Sequence, residues 1–191
     1  MKHKLRPIIS VGILCAIAAV GISFLFPQEY RADAAVLIIS RTRTGVDPYT
    51  VVKSAERVGE NLVAVIPTDD FYGKVITAPG FSLDQSPFLG ATDRVRRKRW
   101  SKSLKGSVVF GTGLVRISAY NPDPAKAKEL AAAAVSTLSA HGWEYVGGDV
   151  TIKPVDSPVA TRFPARPNLL LNLILGFLAG AGIMVLIRMR K

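Results

Sequence analysis

Few side chains in this 191-residue chain are of types that carry chemistry. There are two histidines, His3 and His141, and a single cysteine, Cys15. A tetrahedral zinc site draws on four converging ligands, so no His/Cys zinc cluster is expected within one chain. No G-x-S-x-G nucleophile turn and no H-E-x-x-H pair occurs. Gly111-Thr112-Gly113 is the only glycine-rich turn between candidate strands, and it lacks the spacing and the following helix of a phosphate loop. It reads as hairpin geometry. Asp69-Asp70 offers paired carboxylates, but their place ahead of an apolar run fits helix capping better than metal binding. His141 reads as a partly exposed helix-end residue. Catalytic residues, metal and cofactor are therefore all expected to be absent, and a non-enzymatic role follows. The conspicuous polar feature is a basic run: seven of the twelve residues from Arg94 to Lys105 are Lys or Arg, with Trp100 among them.

The elements that must position this run start with two apolar segments. Ile8 to Phe26 and Leu169 to Ile187 are each 19 residues without a charge. A helix rising ~1.5 Å per residue over such a length nearly matches the ~30 Å hydrocarbon core of a bilayer. They explain how a chain with net charge +11 can still be 49% hydrophobic, with mean hydropathy +0.27. The first segment also resembles a signal peptide in its basic start. Its apolar run is longer than a signal core, however, and the small-residue triplet Ala32-Asp33-Ala34 lies beyond charged Glu29 and Arg31. An uncleaved anchor is expected. Lys2, Lys4 and Arg6 precede the first span, and Arg188, Arg190 and Lys191 follow the second. The positive-inside rule then puts both tails (1–7 and 188–191) in the cytoplasm and residues 27–168 outside. That placement argues against nucleic acid as the partner of the basic run. Three readings stay open: a solvated helix face, contact with anionic headgroups, or attraction to an acidic partner or polymer. Arg94, Arg96, Arg97, Arg99, Trp100 and Lys102 are its candidate contacts.

Within 27–168, Tyr30 to Ile39 reads as a strand buried at its far end. Asp47-Pro48 starts a helix whose apolar face is Val51, Ala55, Val58, Leu62 and Ile66, stopped by Pro67. Thr68 opens a shorter helix through Ile76, and Phe81 to Asp93 reads as loop. The basic run has helical potential up to Gly106. Ser107–Phe110 and Leu114–Tyr120 flank the glycine turn as a hairpin. Asp123-Pro124 starts another helix, with Ala127, Leu130, Ala131, Ala134 and Leu138 on its apolar face and a stop at Gly142. Asp149 to Asp156 is a last strand. The order strand, helix, strand, strand, helix, strand predicts an α+β domain of the split βαβ (ferredoxin-like) kind. From within that last strand up to the second span, Pro154, Pro158, Pro164 and Pro167 predict a stiff extended connector. In the second span Asn172 is the only strongly polar side chain, and Gly176 and Gly180, four apart, would let helix backbones approach closely.

Taken together, four stretches resemble the chain-length determinant (Wzz-type) polysaccharide co-polymerases and related capsular polysaccharide proteins. They are Tyr30-Arg-Ala-Asp-Ala-Ala-Val-Leu-Ile, Val52-Lys-Ser-Ala-Glu-Arg-Val-Gly-Glu-Asn-Leu62, Gly113-Leu-Val-Arg-Ile-Ser-Ala-Tyr with Asp123-Pro-Ala-Lys-Ala-Lys-Glu-Leu-Ala, and Val155-Asp-Ser-Pro-Val-Ala followed by Pro164-Ala-Arg-Pro167-Asn. The resemblance implies a homo-oligomer in a bacterial inner membrane with its main domain in the periplasm or outside. Such proteins work with a polysaccharide polymerase or export machinery to set the length or export of an O-antigen, capsule or exopolysaccharide, and are not themselves enzymes. It also implies that Pro158, Pro164, Pro167, Asn172, Gly176 and Gly180 serve helix packing and partner contact. The outer segment is too short for the long helical extension of larger members, which speaks against a tall ring. Some relatives act with a tyrosine kinase; with only Arg188–Lys191 after the second span, no fused kinase is expected. Two rival readings accompany this one: an adaptor that activates a separate tyrosine kinase, and an anchored module that binds glycan or peptide.

Overall fold

The computed structural model describes residues 2–40, 47–147 and 150–189. Of the residues named above, Asp149, Arg190 and Lys191 lie outside these. The element order is α1 (Lys2–Ser23), β1 (Tyr30–Ser40), α2 (Pro48–Val65), α3 (Asp69–Ile76), α4 (Asp93–Ser103), β2 (Leu104–Val108), β3 (Leu114–Asn121), α5 (Pro124–His141), α6 (Trp143–Val146), β4 (Val150–Ala160) and α7 (Leu169–Met189). The chain forms two compact units. One comprises Met1–Glu29 with Phe163–Lys191, the other Tyr30–Arg162.

The first unit is a helical pair. Both α1 and α7 are long and apolar enough to cross a membrane. Their large side chains point mostly outward, with Leu14, Ile17, Leu170, Leu178 and Leu186 exposed. A water-soluble core would bury such residues. Between the helices, the segment after Arg162 is tied to the end of the first helical stretch. The Glu29 amide donates to the Arg166 carbonyl at 2.9 Å, the Ala165 amide donates back to Glu29 at 2.7 Å, and the Arg166 and Glu29 side chains pair at 3.2 Å. Pro164 and Pro167 belong to this tied segment.

The second unit is a four-stranded antiparallel sheet in the order β2-β3-β1-β4, with helices over one face. Helix starts follow local chemistry. The Asp47 carboxylate accepts from the Thr50 amide, Thr68 from Phe71 and Asp123 from Ala125, each satisfying an otherwise orphaned N–H. Pro48 and Pro124 occupy first-turn positions where no N–H is needed. Strand β1 alternates along its length: Ala32, Ala34, Val36 and Ile38 are buried, while Ile39 is exposed. At the far end, expected to be buried, Val36 and Ile38 are buried and Ile39 is exposed. Val115, Ile117 and Ala119 of β3, Leu104 of β2 and Ile152 of β4 complete the inner face. Against it lie Ala55, Leu62 and Ile66 around α2, Phe71 and Val75 of α3, and the alanine-rich face of α5. The small side chains of α5 let the helix sit close to the sheet. The hairpin closes with the Val109 amide bonded to the Leu114 carbonyl at 2.9 Å and with Gly111 at φ +71, a region that disfavours a Cβ.

Two boundaries differ from the sequence reading. The basic helix stops at Ser103 and β2 begins at Leu104, because Leu104 pairs with Ala119 and is buried in the core. Strand β4 runs on to Ala160, so Pro154 and Pro158 lie in an edge strand rather than in a connector. An edge tolerates proline because it has an unpaired side. Register shifts where β4 passes Asp33, Ala35 and Val36 mark bulges there.

Candidate functional site

Three groups of residues carry the polar and close-contact features, two of them in the sheet unit. In the helical unit, Gly176 and Gly180 meet α1 of the same chain. A Cβ on Gly176 would lie 2.7 Å from the Ala19 Cβ and 2.9 Å from the Cys15 carbonyl oxygen. One on Gly180 would lie 2.7 Å from the Cys15 Cβ. Both distances are shorter than carbon atoms tolerate, so these glycines are what allows the two helices to approach. Asn172 donates from its amide to the Ser23 hydroxyl at 2.7 Å, and Ser23 donates to the Ala19 carbonyl at 2.8 Å. The Asn172 amide and the Ser23 hydroxyl thus satisfy one another. Of the positions read from the sequence as packing sites, Gly176, Gly180 and Asn172 face α1 of the same chain.

The second group surrounds α4, and its cations fall into two sets. Arg97 and Arg96 both reach Asp69 at the start of α3, Arg96 at 3.4 Å, and Arg96 also pairs with Asp93 at 3.1 Å. The Arg97 hydrogen bond, together with the neighbouring Arg96 charge, holds the Asp69 carboxyl below the usual carboxylate range. Arg99 donates to the Pro87 carbonyl. Trp100 is 1% exposed; its indole N–H donates to the Ile66 carbonyl at 2.7 Å, and its ring meets Tyr72 and Phe88 edge to face. Trp100 is therefore core and is removed from the candidate contacts. Arg96, Arg97 and Arg99 tie α4 to α3 and to the preceding loop. Arg94, Lys98 and Lys102 stay exposed, and Arg94 and Lys98 make no ion pair or hydrogen bond. Pro158 lies elsewhere, in a shallow groove between β4 and the Val135–Ser139 side of α5.

A third group was not visible in the sequence. Lys74 of α3 pairs with Glu144 at 2.5 Å and with Asp70 at 3.2 Å. His141 Nδ1 lies 2.7 Å from Glu144, and the Tyr145 hydroxyl donates to Asp70. The hydrogen bond from Tyr145, then that from Lys74, pulls the Asp70 carboxyl down. Lys74, then His141, does the same for Glu144, and the Glu144 hydrogen bond raises Lys74. This network latches α3 to the end of α5 and to α6. The partners are about seventy residues apart, and no short motif announces such a pairing. Among the described residues, no cluster of three or more His, Cys, Asp or Glu is arranged to hold a metal.

No protein-family model matches the chain, and no curated protein matches it.

Proposed function

We propose that this protein is a non-enzymatic membrane scaffold that governs polymerisation, chain length or export of a bacterial surface polysaccharide. The observation that carries the reading is the pairing of an anchor with an α+β domain on one chain. The helical pair is closed by Gly176, Gly180 and the Asn172–Ser23 hydrogen bond. In the other unit β3 lies between β1 and β2, in the antiparallel order β2-β3-β1-β4. That order supports a split βαβ (ferredoxin-like) domain, the kind of domain that the family resemblance implies. In this reading the tails are cytoplasmic, the sheet domain is periplasmic or extracellular, and several copies assemble around a polymerase or exporter in the inner membrane. The proline-bearing segment and α7 then serve partner contact through the surfaces that α1 leaves open.

Deleting the gene is expected to change the length distribution or amount of surface glycan on a gel, and the wild-type gene to restore it. A variant carrying Gly180→Leu, which would force α7 away from Cys15, should restore it poorly while still reaching the membrane. An unchanged glycan profile in a strain with the pathway active would overturn the proposal.

A further inference from the structure

The helices cover one face of the sheet and leave the other to solvent. On that second face the strand registers align three cations. Lys105 of β2 lies in the row Lys105–Ser118–Asp33, Arg116 of β3 in the row Ser107–Arg116–Ala35, and Lys153 of β4 beside Leu37. These rows are successive steps along β1, at Asp33, Ala35 and Leu37. With strands ~4.8 Å apart and a rise of ~3.4 Å per residue, the backbone positions advance diagonally by about 8 Å and then about 12 Å. All three side chains are exposed, and none makes an ion pair or hydrogen bond among the described residues. The acids nearby do not neutralise them. Asp33 is held by Arg31 at 2.9 Å and by the Ser118 hydroxyl at 2.6 Å. Asp156 of β4 stands across from Ala35 in the Arg116 row, two strands from Arg116, and is exposed without an ion pair among the described residues.

An exposed cation on a sheet is ordinary. Three unpaired ones stepping across three strands, against Asp156 as the one unpaired carboxylate in their rows, leave the face with an excess of positive charge along a track. The track is too long for a small anion. Its complement is an extended polyanion. We infer that the bare sheet face binds an acidic glycan strand, with Lys105, Arg116 and Lys153 meeting carboxylates carried by sugars several units apart. This rests on the polysaccharide reading above and specifies the chemistry of its ligand: a uronate-type polymer, held by charge and by spacing. Like charges on the track also disfavour a second copy of the same face as its occupant.

The test uses the full chain in neutral nanodiscs and a fluorescent oligogalacturonate of about ten sugars, with dextran of equal length as the uncharged control. Binding is expected for the oligogalacturonate alone, and to weaken steeply as salt is raised from low to physiological strength. The combined K105Q/R116Q/K153Q variant should lose at least tenfold in affinity. R94Q/K98Q, which neutralises the free cations of α4, should stay within about twofold, and both variants should keep the wild-type melting temperature. Equal binding of dextran, no loss in the triple variant, or a larger loss in R94Q/K98Q would each overturn the inference. So would a triple variant whose defect appears only on vesicles containing phosphatidylglycerol. If deletion alters the glycan while oligogalacturonate fails to bind, this inference falls and the proposed function stands. If the triple variant loses binding while deletion leaves the glycan unchanged, the reverse holds.

Discussion

Helix α4 and the bare sheet face are both basic, and they use their cations in opposite ways. The helix has six Lys or Arg residues in eleven positions. Arg96 and Arg97 are occupied by Asp69 and Arg99 by a loop carbonyl. On the sheet face Arg31 is held by Asp33, while Lys105, Arg116 and Lys153 are well spaced and without partners among the described residues. Density of charge along a sequence therefore does not measure charge available to a partner. In α4, arginines do the work of packing a short helix whose only buried side chain is Trp100. On the sheet, the alternation of a strand sends every second residue to solvent regardless of what lies between.

The largest effect should come from removing the anchor of α4. Trp100→Ala is expected to cost about 3–5 kcal/mol, the range for deleting a buried aromatic, with the Ile66 carbonyl left without its donor. Thermal or denaturant unfolding would read it, and a loss below 1 kcal/mol would mean that α4 is held by its ion pairs instead. Next is acid. Asp69, Asp70 and Glu144 all have carboxyls lowered by partners, and Asp84 is lowered to about 2 by Lys126 and Ser86. A lowered native value stabilises the fold above the unfolded carboxyl pKa of about 4, and that stabilisation disappears as pH falls further. The melting temperature should be flat from about pH 7 to 5 and fall below about 4. Glu144→Gln should make that fall shallower. A smaller effect follows from Asp69→Asn, which frees Arg97 and leaves Arg96 to Asp93 alone. It should lower the melting temperature slightly and let α4 compete for oligogalacturonate, blurring the contrast between the two surfaces. The smallest change belongs to Arg94→Gln with Lys98→Gln, which should stay within about 0.5 kcal/mol of wild-type stability, as unpaired surface sites do.

The parts of the fold legible in the sequence are those whose cause is local. Asp47-Pro48, Thr68 and Asp123-Pro124 mark helix starts because a cap needs only its next three residues. The Gly111 turn and the alternation of Val115, Ile117 and Ala119 are equally short-range. What escaped depends on distant partners. Leu104 reads as the end of a helix until Ala119 claims it for a strand. Pro154 and Pro158 read as connector until β4 is found at the rim of the sheet, where a missing N–H is tolerated. The site was obscured for the same reason. Arg97 looks like a free binding residue unless Asp69, 28 positions earlier, is brought beside it. Conversely, Lys105, Arg116 and Lys153 share a face only because three strands align, and nothing in their separate neighbourhoods connects them. Gly176 and Gly180 were readable as close-approach positions, but not that the approaching backbone would be α1.

The two rims of the sheet bear on how copies of this chain can associate. Strand β2 is five residues long, and β4 carries two prolines and irregular register. Short, bulged or proline-bearing edges are poor templates for another strand. Crowded side by side in two dimensions, such domains are guarded against fusing into one endless ribbon. Copies brought edge to edge would meet through side chains rather than through a shared strand ladder.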